Sequence, residues 1–289
     1  MANPLSRLIP KRFRKDTPIV PVVRMKGMIA DGGGRFNPTL SLASVAGPLQ
    51  KAFSIKQAPA VAICINSPGG SPVQSRLIFK RIRDLAEEKE KPVLVFVEDA
   101  AASGGYMIAV AGDEIIADPS SVVGSIGVIS AGFGFPEALD KLGVERRVYT
   151  AGTNKSTLDP FKPAKKQDVD HLKELLDDIH EVFTDVVRSR RAEKLALDNP
   201  DLFSGRFWAA EKGKELGLID DIGDMRSVLK ERFGDKTEMI VISQPRGLFS
   251  RRGGAGISGL SDMQSLSHMA ADGMLAAAQE RILWNRLGL

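Results

Sequence analysis

The sequence predicts an α/β fold with a largely parallel sheet, flanking helices and a C-terminal helical tail. Short apolar runs rich in Val, Ile and Leu (Val61 to Ile65, Val93 to Val97, Glu114 to Ala117) alternate with longer stretches of helical spacing. Two of these runs end in glycine-rich loops, Asn66-Ser67-Pro68-Gly69-Gly70 and Ala101-Ala102-Ser103-Gly104-Gly105-Tyr106. Alternation of strand, loop and helix is what parallel strands joined by right-handed crossovers require. Loops at the carboxyl ends of such strands are where these folds keep their chemistry.

Taken in order, residues 1–17 form a basic arm and 18–243 one large domain. Residues 244–258 read as a flexible linker, with four glycines and Arg246, Arg251 and Arg252, and 259–289 as an amphipathic helix. Within the domain, Ile19 to Ile29 suits an early strand despite Pro21, and Leu40 to Phe53 has helical apolar spacing. The helix from Pro72 to about Glu90 starts with proline, whose missing N–H costs nothing there, and places Val73, Leu77, Ile78, Ile82 and Leu85 on one face. Ser121 to Gly127 reads as a loop and Val144 to Thr150 as a strand. From Ala164 to about Leu197, Val169, Leu172, Leu176, Ile179, Phe183 and Val186 recur at three- and four-residue intervals. A helix of that length packs across a domain or against a neighbour. Shorter helices are expected from Ala209 to Leu216, closed by Gly217, and after Gly223, running to Phe233. In the tail, Leu260, Met263, Leu266, Met274, Leu275, Ala278, Ile282 and Leu283 make an apolar face closed by Trp284, and helix pairing or docking on the body is favoured over attachment to membrane.

Composition narrows the function classes. With 289 residues, 43% hydrophobic and 26% charged, the chain can bury a full core. Its net charge of +4 is exceeded by the five cations of residues 1–15, Arg7, Lys11, Arg12, Arg14 and Lys15, which contain no acid, so everything after them sums to −1. That argues against nucleic acid as partner and leaves the arm as a solvated end or a contact with anionic lipid. The single cysteine, Cys64, sits inside an apolar strand and reads as a buried hydrophobe. No secretory signal or lipid-embedded helix is legible, so the expected location is cytoplasmic, with peripheral contact at the inner membrane face through the arm or the tail. There is no H-E-x-x-H, Cys/His cluster or Walker loop, hence no expected metal, nucleotide or other cofactor.

Ser103 is followed by two glycines that let the chain turn sharply and bring the next N–H, that of Gly104, close to a tetrahedral oxyanion. Gly69 or Gly70 can supply a second N–H. One such segment alone is an ordinary glycine turn, but two at successive strands suggest acyl transfer. The nucleophile elbow G-x-S-x-G is not matched, because Ala101 fills its first position. His171, His180 and His268 all fall in downstream helices, so a Ser-His-Asp triad is poorly supported. A lysine can replace histidine when its ammonium is desolvated, since its reference pKa of about 10.4 must fall by several units. Lys155 stands in a non-helical segment just past a strand, where composition gives it little weight.

These segments, with Gly124-Ser125-Ile126-Gly127-Val128, Lys155 to Phe161, Leu202 to Arg206 and Gly217 to Asp220, resemble in order the signal peptide peptidase A family of bacterial serine proteases, over roughly residues 18 to 235. The resemblance implies a ClpP/crotonase-like fold and a Ser/Lys dyad. Ser103 would be the nucleophile, Lys155 the general base, and Ser125 the hydroxyl that orients the lysine. Gly104 with Gly69 or Gly70 would form the oxyanion hole. It further implies peptide substrates, namely signal-peptide remnants or other unfolded apolar peptides, and a homo-oligomeric ring in which neighbours complete each site. Members usually carry an N-terminal membrane anchor, where this chain shows only the basic arm. Ala102, Ile126 and Val128 near the nucleophile suggest cleavage after small or apolar side chains.

Two rival readings fit parts of the same sequence. A crotonase-like acyl-CoA enzyme would use the same N–H pair on a thioester enolate, with Glu98 and Asp99 as the carboxylates. A catalytically silent peptide-binding scaffold would have no need of Ser103, Lys155 and Ser125 together. Ser227-Val228-Leu229-Lys230 matches S-x-x-K without its companion motifs and reads as chance.

Overall fold

The computed structural model describes residues 17–32, 39–243, 277, 278 and 280–289. The basic arm to residue 16, the 244–258 linker, His268 and the tail positions from Leu260 to Leu275 lie outside the described residues. In chain order the elements are β1 (Ile19–Lys26), α1 (Leu42–Phe53), β2 (Val61–Ser67), α2 (Pro72–Lys89), β3 (Val93–Ala102) and α3 (Gly104–Ala109). These are followed by β4 (Glu114–Ala117), β5 (Val122–Gly124), α4 (Pro136–Leu142), α5 (Lys166–Arg191), β6 (Phe207–Ala209), α6 (Ala210–Glu215), β7 (Asp221–Ile222), α7 (Met225–Phe233) and β8 (Glu238–Val241).

The strands form one sheet ordered β6-β5-β3-β2-β1-β8, with β4 beside the first half of β3 and β7 beyond it. Every pairing is parallel except β5 with β6, as the α/β reading expects. Successive side chains of β1 to β3 point to opposite faces, and both faces are buried, which explains their continuous apolar runs. Val23, Met25, Ile63, Ile65, Val93 and Val95 meet α1, α2 and α3 on one side. Val20, Val22, Ala62, Cys64, Leu94 and Phe96 meet α7 on the other. Burial, reinforced by Glu98, pushes the Cys64 thiol up to about 12, so this cysteine is an inert core residue.

β3 is the element that positions the site, because it forks. Leu94–Val97 pairs with β4, and Ala100–Ala102 pairs with β5 instead. The expected loop from Ser121 to Gly127 therefore contains a strand. Three residues are too few for a periodic signal, and only the far end of β3 makes Val122–Gly124 one. Val144 to Thr150 errs the other way: it is not a strand, and its residues are exposed apart from the half-buried Val148. Its alternation is strand-like, but among the described residues no neighbouring strand offers it a ladder.

α5 ends at Arg191 rather than near Leu197. The buried Arg191 guanidinium donates to the Gly217 carbonyl and in a fork to Asp220, and the chain turns so that the Ala196 N–H reaches the Leu216 carbonyl. Burial alone would raise the Asp220 carboxyl, but hydrogen bonds from Arg191 and Lys194 outweigh it and hold the group below its ordinary value. This clamp ties the inner end of α5 to the domain. The outer part is different, since from 127 to 182 no residue is buried. The stretch containing α4, Lys155 and the first half of α5 thus projects from the body as an arm.

Candidate active site

Register alone sets two serines side by side. Ala102 of β3 is paired with Gly124 of β5, so Ser103 and Ser125 are the next residues at the carboxyl ends of neighbouring parallel strands. The Ser103 N–H donates to the Gly124 carbonyl at 2.9 Å, and the Ser125 N–H to the Arg206 carbonyl at 2.7 Å. On the other flank of β3, Ser67 at the end of β2 pairs with Ala101 and brings the Pro68-Gly69-Gly70 loop to the same edge.

Ser103 has φ 51° and ψ −123°, a sharp strand-to-helix turn into α3. A non-glycine residue held there costs about 1–3 kcal/mol and marks a functional constraint. The backbone thus has the shape of a nucleophile elbow although the G-x-S-x-G spelling is absent. Four non-glycine residues among those described have positive φ, and two of them, Ser103 and Ser125, line one cavity. Strain is concentrated where the two hydroxyls are.

The Gly-Gly loop is pinned from behind. Ser67 Oγ donates to the Gly27 carbonyl at 2.7 Å and accepts from the Gly69 N–H at 3.2 Å. The Ile29 N–H donates to the Gly69 carbonyl, and the Ser71 N–H to the Ile29 carbonyl. Gly69 is therefore spoken for. Among the described residues the N–H groups of Gly70 and Gly104 have no acceptor, and both residues line the cavity with Ser103. Two free donors beside a strained serine form the arrangement that holds an oxyanion. Neither Gly69 nor Gly70 tolerates a side chain. A Cβ on Gly69 would sit 2.7 Å from Ser103 Cβ, and one on Gly70 would sit 2.0 Å from the Ile29 carbonyl oxygen.

The cavity measures about 280 Å³ and is walled mostly by apolar groups: Met107 from α3, Ile179 and Phe183 from α5, Phe207 from β6, and Val128 and Ile129. Of the three small residues expected to shape substrate preference, only Val128 lines it. Ala102 and Ile126 are fully buried, because they point into the core from strand and loop. Ile179 and Phe183 are legible in the sequence only as the apolar stripe of a helix, spaced i and i+4, and Met107 carries no signal of its own there. The apolar lining is supplied by these larger walls instead.

Lys155 is not part of this cavity. It is exposed, in a run of turns on the projecting arm, and the structure brings Ser103, Ser125, Gly70 and Gly104 together without it. His171 is exposed on α5, and a ring nitrogen of His180 lies 3.2 Å from the Ile126 carbonyl. Glu98 and Asp99 face a separate pocket beside Cys64, where Glu98 pairs with Arg24 and Asp99 accepts from Asn66. The carboxylates a crotonase-type reaction would need are thus committed elsewhere. Ser227 and Lys230 lie on α7, where the Ser227 N–H is taken by the Asp224 cap. Among the described residues no cluster of His, Cys, Asp and Glu could hold a metal ion.

Comparison with known proteins places the chain. The model of peptidase family S49 matches residues 86–236, which include Ser103, Ser125 and Lys155. The putative protease slr0021 of Synechocystis is 33% identical over 224 residues, covering 75% of this chain and 78% of that protein. A Brucella abortus protein named Na(+)/H(+) antiporter NhaA is 60% identical over 287 residues, 99% of this chain but 39% of that protein. This chain therefore spans about two-fifths of that relative, and among its described residues no helix is long and apolar enough to cross a membrane. The solved 1510-N membrane-bound stomatin-specific protease aligns over 81% of this chain at 16% identity with a TM-score of 0.46, too loose a likeness to add to the sequence matches. On the strength of those matches, the chain belongs to peptidase family S49.

Proposed function

We propose that the chain is a serine endopeptidase with a Ser/Lys dyad, cleaving unfolded apolar peptides such as signal-peptide remnants. The observation that carries this reading is the strained Ser103 flanked by the free N–H groups of Gly70 and Gly104. Ser103 Oγ attacks the scissile carbonyl carbon while its proton passes to Lys155 Nζ, and the oxyanion is held by the two backbone donors. Collapse expels the amine, which takes the proton from Lys155. Water then attacks the acyl-enzyme with Lys155 again as base, releasing the new carboxyl end and restoring Ser103. Ser125, beside Ser103 at the next strand end, orients the lysine.

In this reading Lys155 reaches Ser103 from a second copy of the chain. What supports it is the arm. Phe133, Leu142 and Tyr149 are 82%, 76% and 90% exposed, and rings of Phe133, Phe135 and Phe161 cluster at 6.0–6.2 Å. An apolar surface of that kind is characteristic of an interface. The unpaired Val144 to Thr150 stretch offers a strand to a partner, and seating the arm would take the Lys155 ammonium out of water, as a basic lysine requires. A head-to-tail contact of this kind closes into a ring.

Mixing provides the test. Ser103→Ala and Lys155→Ala should each be inactive on a fluorogenic unfolded protein, and the two combined under subunit exchange should regain activity. An inactive mixture that has demonstrably exchanged subunits would place the lysine within its own chain or outside the reaction.

A further inference from the structure

One wall of the cavity beside Ser103 comes from the C-terminal tail, beyond residue 236 where the family match stops. The C-terminal helix, described at 277, 278 and 280–286, lies across it, and Leu283, Arg286 and Leu287 line the cavity together with Ser103, Gly70, Gly104 and Ser125. Burial along this helix has a helical period. Glu280, Leu283, Trp284 and Leu287, at i, i+3, i+4 and i+7, are half-buried, whereas Arg281, Ile282, Asn285 and Arg286 are exposed. The expected apolar face is thereby corrected, since Ile282 is 61% exposed and Leu287 takes its place. Farther along, the Glu280 carboxylate lies 3.4 Å from where a Cβ on Gly27 would stand, so the helix is seated at two places.

We infer that residues 280–287 are an autoinhibitory strap, with Leu283 and Leu287 occupying the apolar subsite that would receive a substrate side chain. With the strap in place the cavity is about 280 Å³, at the low edge of the roughly 300–1,000 Å³ of ligand clefts, enough for a side chain but not for a peptide segment. An extended substrate crossing Gly70 and Gly104 has to displace the helix. Among the described residues no ion pair ties the helix to the body, and its Trp284 indole is directed back to Glu280 of the same helix at 3.5 Å. With no such ion pair to hold it, the strap is released by whatever competes for its apolar contact, an apolar peptide above all. Only the molecules with the strap open bind, so the apparent affinity falls by the open fraction.

This inference rests on the peptidase reading for its meaning but is tested without catalysis. A fluorescein-labelled, leucine-rich unfolded peptide is titrated against the full chain carrying Ser103→Ala, and binding is followed by anisotropy. Adding Leu283→Ala and Leu287→Ala should tighten Kd by about three- to tenfold, as expected when the strap is closed in most molecules. Leu283→Met with Leu287→Met should restore the weaker binding, and Ile282→Ala on the exposed face should leave it unchanged. With Ser103 intact, the alanine pair should raise kcat/KM by the same factor. An unchanged or weaker Kd in the alanine pair overturns the strap. Tighter binding without hydrolysis in any Ser103-containing form sustains the strap and overturns the peptidase reading instead.

Discussion

Ser103→Ala is expected to lower kcat by roughly 10⁴-fold or more, with the fold and oligomeric state unchanged. That is the scale on which removal of an activated serine acts, and what remains comes from the oxyanion donors and binding. The side chain is half-buried at a turn whose backbone is set by the Ser103–Gly124 hydrogen bond and the β3–β5 register, neither of which involves the hydroxyl. Loss of the oxygen therefore subtracts chemistry and leaves structure. Initial rates on an unfolded fluorogenic protein, beside circular dichroism and light scattering, check it. Substantial turnover by a folded Ser103→Ala chain would remove Ser103 from the mechanism.

Gly70→Ala should cost about 10²–10³ in kcat, the usual effect of losing one oxyanion donor. Gly70 has φ 140°, a region that L side chains rarely adopt, and the new methyl would stand 2.0 Å from the Ile29 carbonyl oxygen, 2.8 Å from its carbon and 2.8 Å from its nitrogen. Three backbone atoms of a buried residue cannot give way together, so the loop must move, and with it the Gly70 N–H. The same shift breaks the Ser71 N–H bond to Ile29, so the melting temperature should fall as well. Single-turnover rates and thermal unfolding of the same preparation separate the two effects. A chain that melts earlier but turns over at the wild-type rate would show that Gly70 shapes the loop without holding the oxyanion.

Much of this site is legible in the sequence because it is local. The apolar runs ending at Ser67 and Ala102 and the glycines after them fix two strand ends, and the likeness to known proteases puts Ser125 and Lys155 in the same sentence as Ser103. What sequence reading missed is nonlocal. Val122–Gly124 is a strand only because β3 outruns β4 and offers its far end, and β6, of three residues, exists only as the partner of β5. The reservation of the Gly69 N–H by Ser67, which leaves Gly70 free, depends on Gly27, forty positions from Ser67. Val144 to Thr150 carries a strand's alternation, but alternation reports what a segment could pair with, and among the described residues nothing answers it. The tail's face shifted for a related reason: hydrophobicity puts Ile282 and Leu283 on one stripe, while the shape of the cavity selects Leu283 and Leu287.

The central claim is that Ser103 Oγ is the acyl-accepting nucleophile between two backbone donors. Its most direct test is to treat the full chain with a peptidyl fluorophosphonate, digest it, and locate the adduct by mass spectrometry. The account predicts a single adduct on the peptide containing Ser103, formed in proportion to the loss of hydrolysis and absent from Ser103→Ala. An adduct on another residue, or full hydrolytic activity after stoichiometric modification of Ser103, would contradict it.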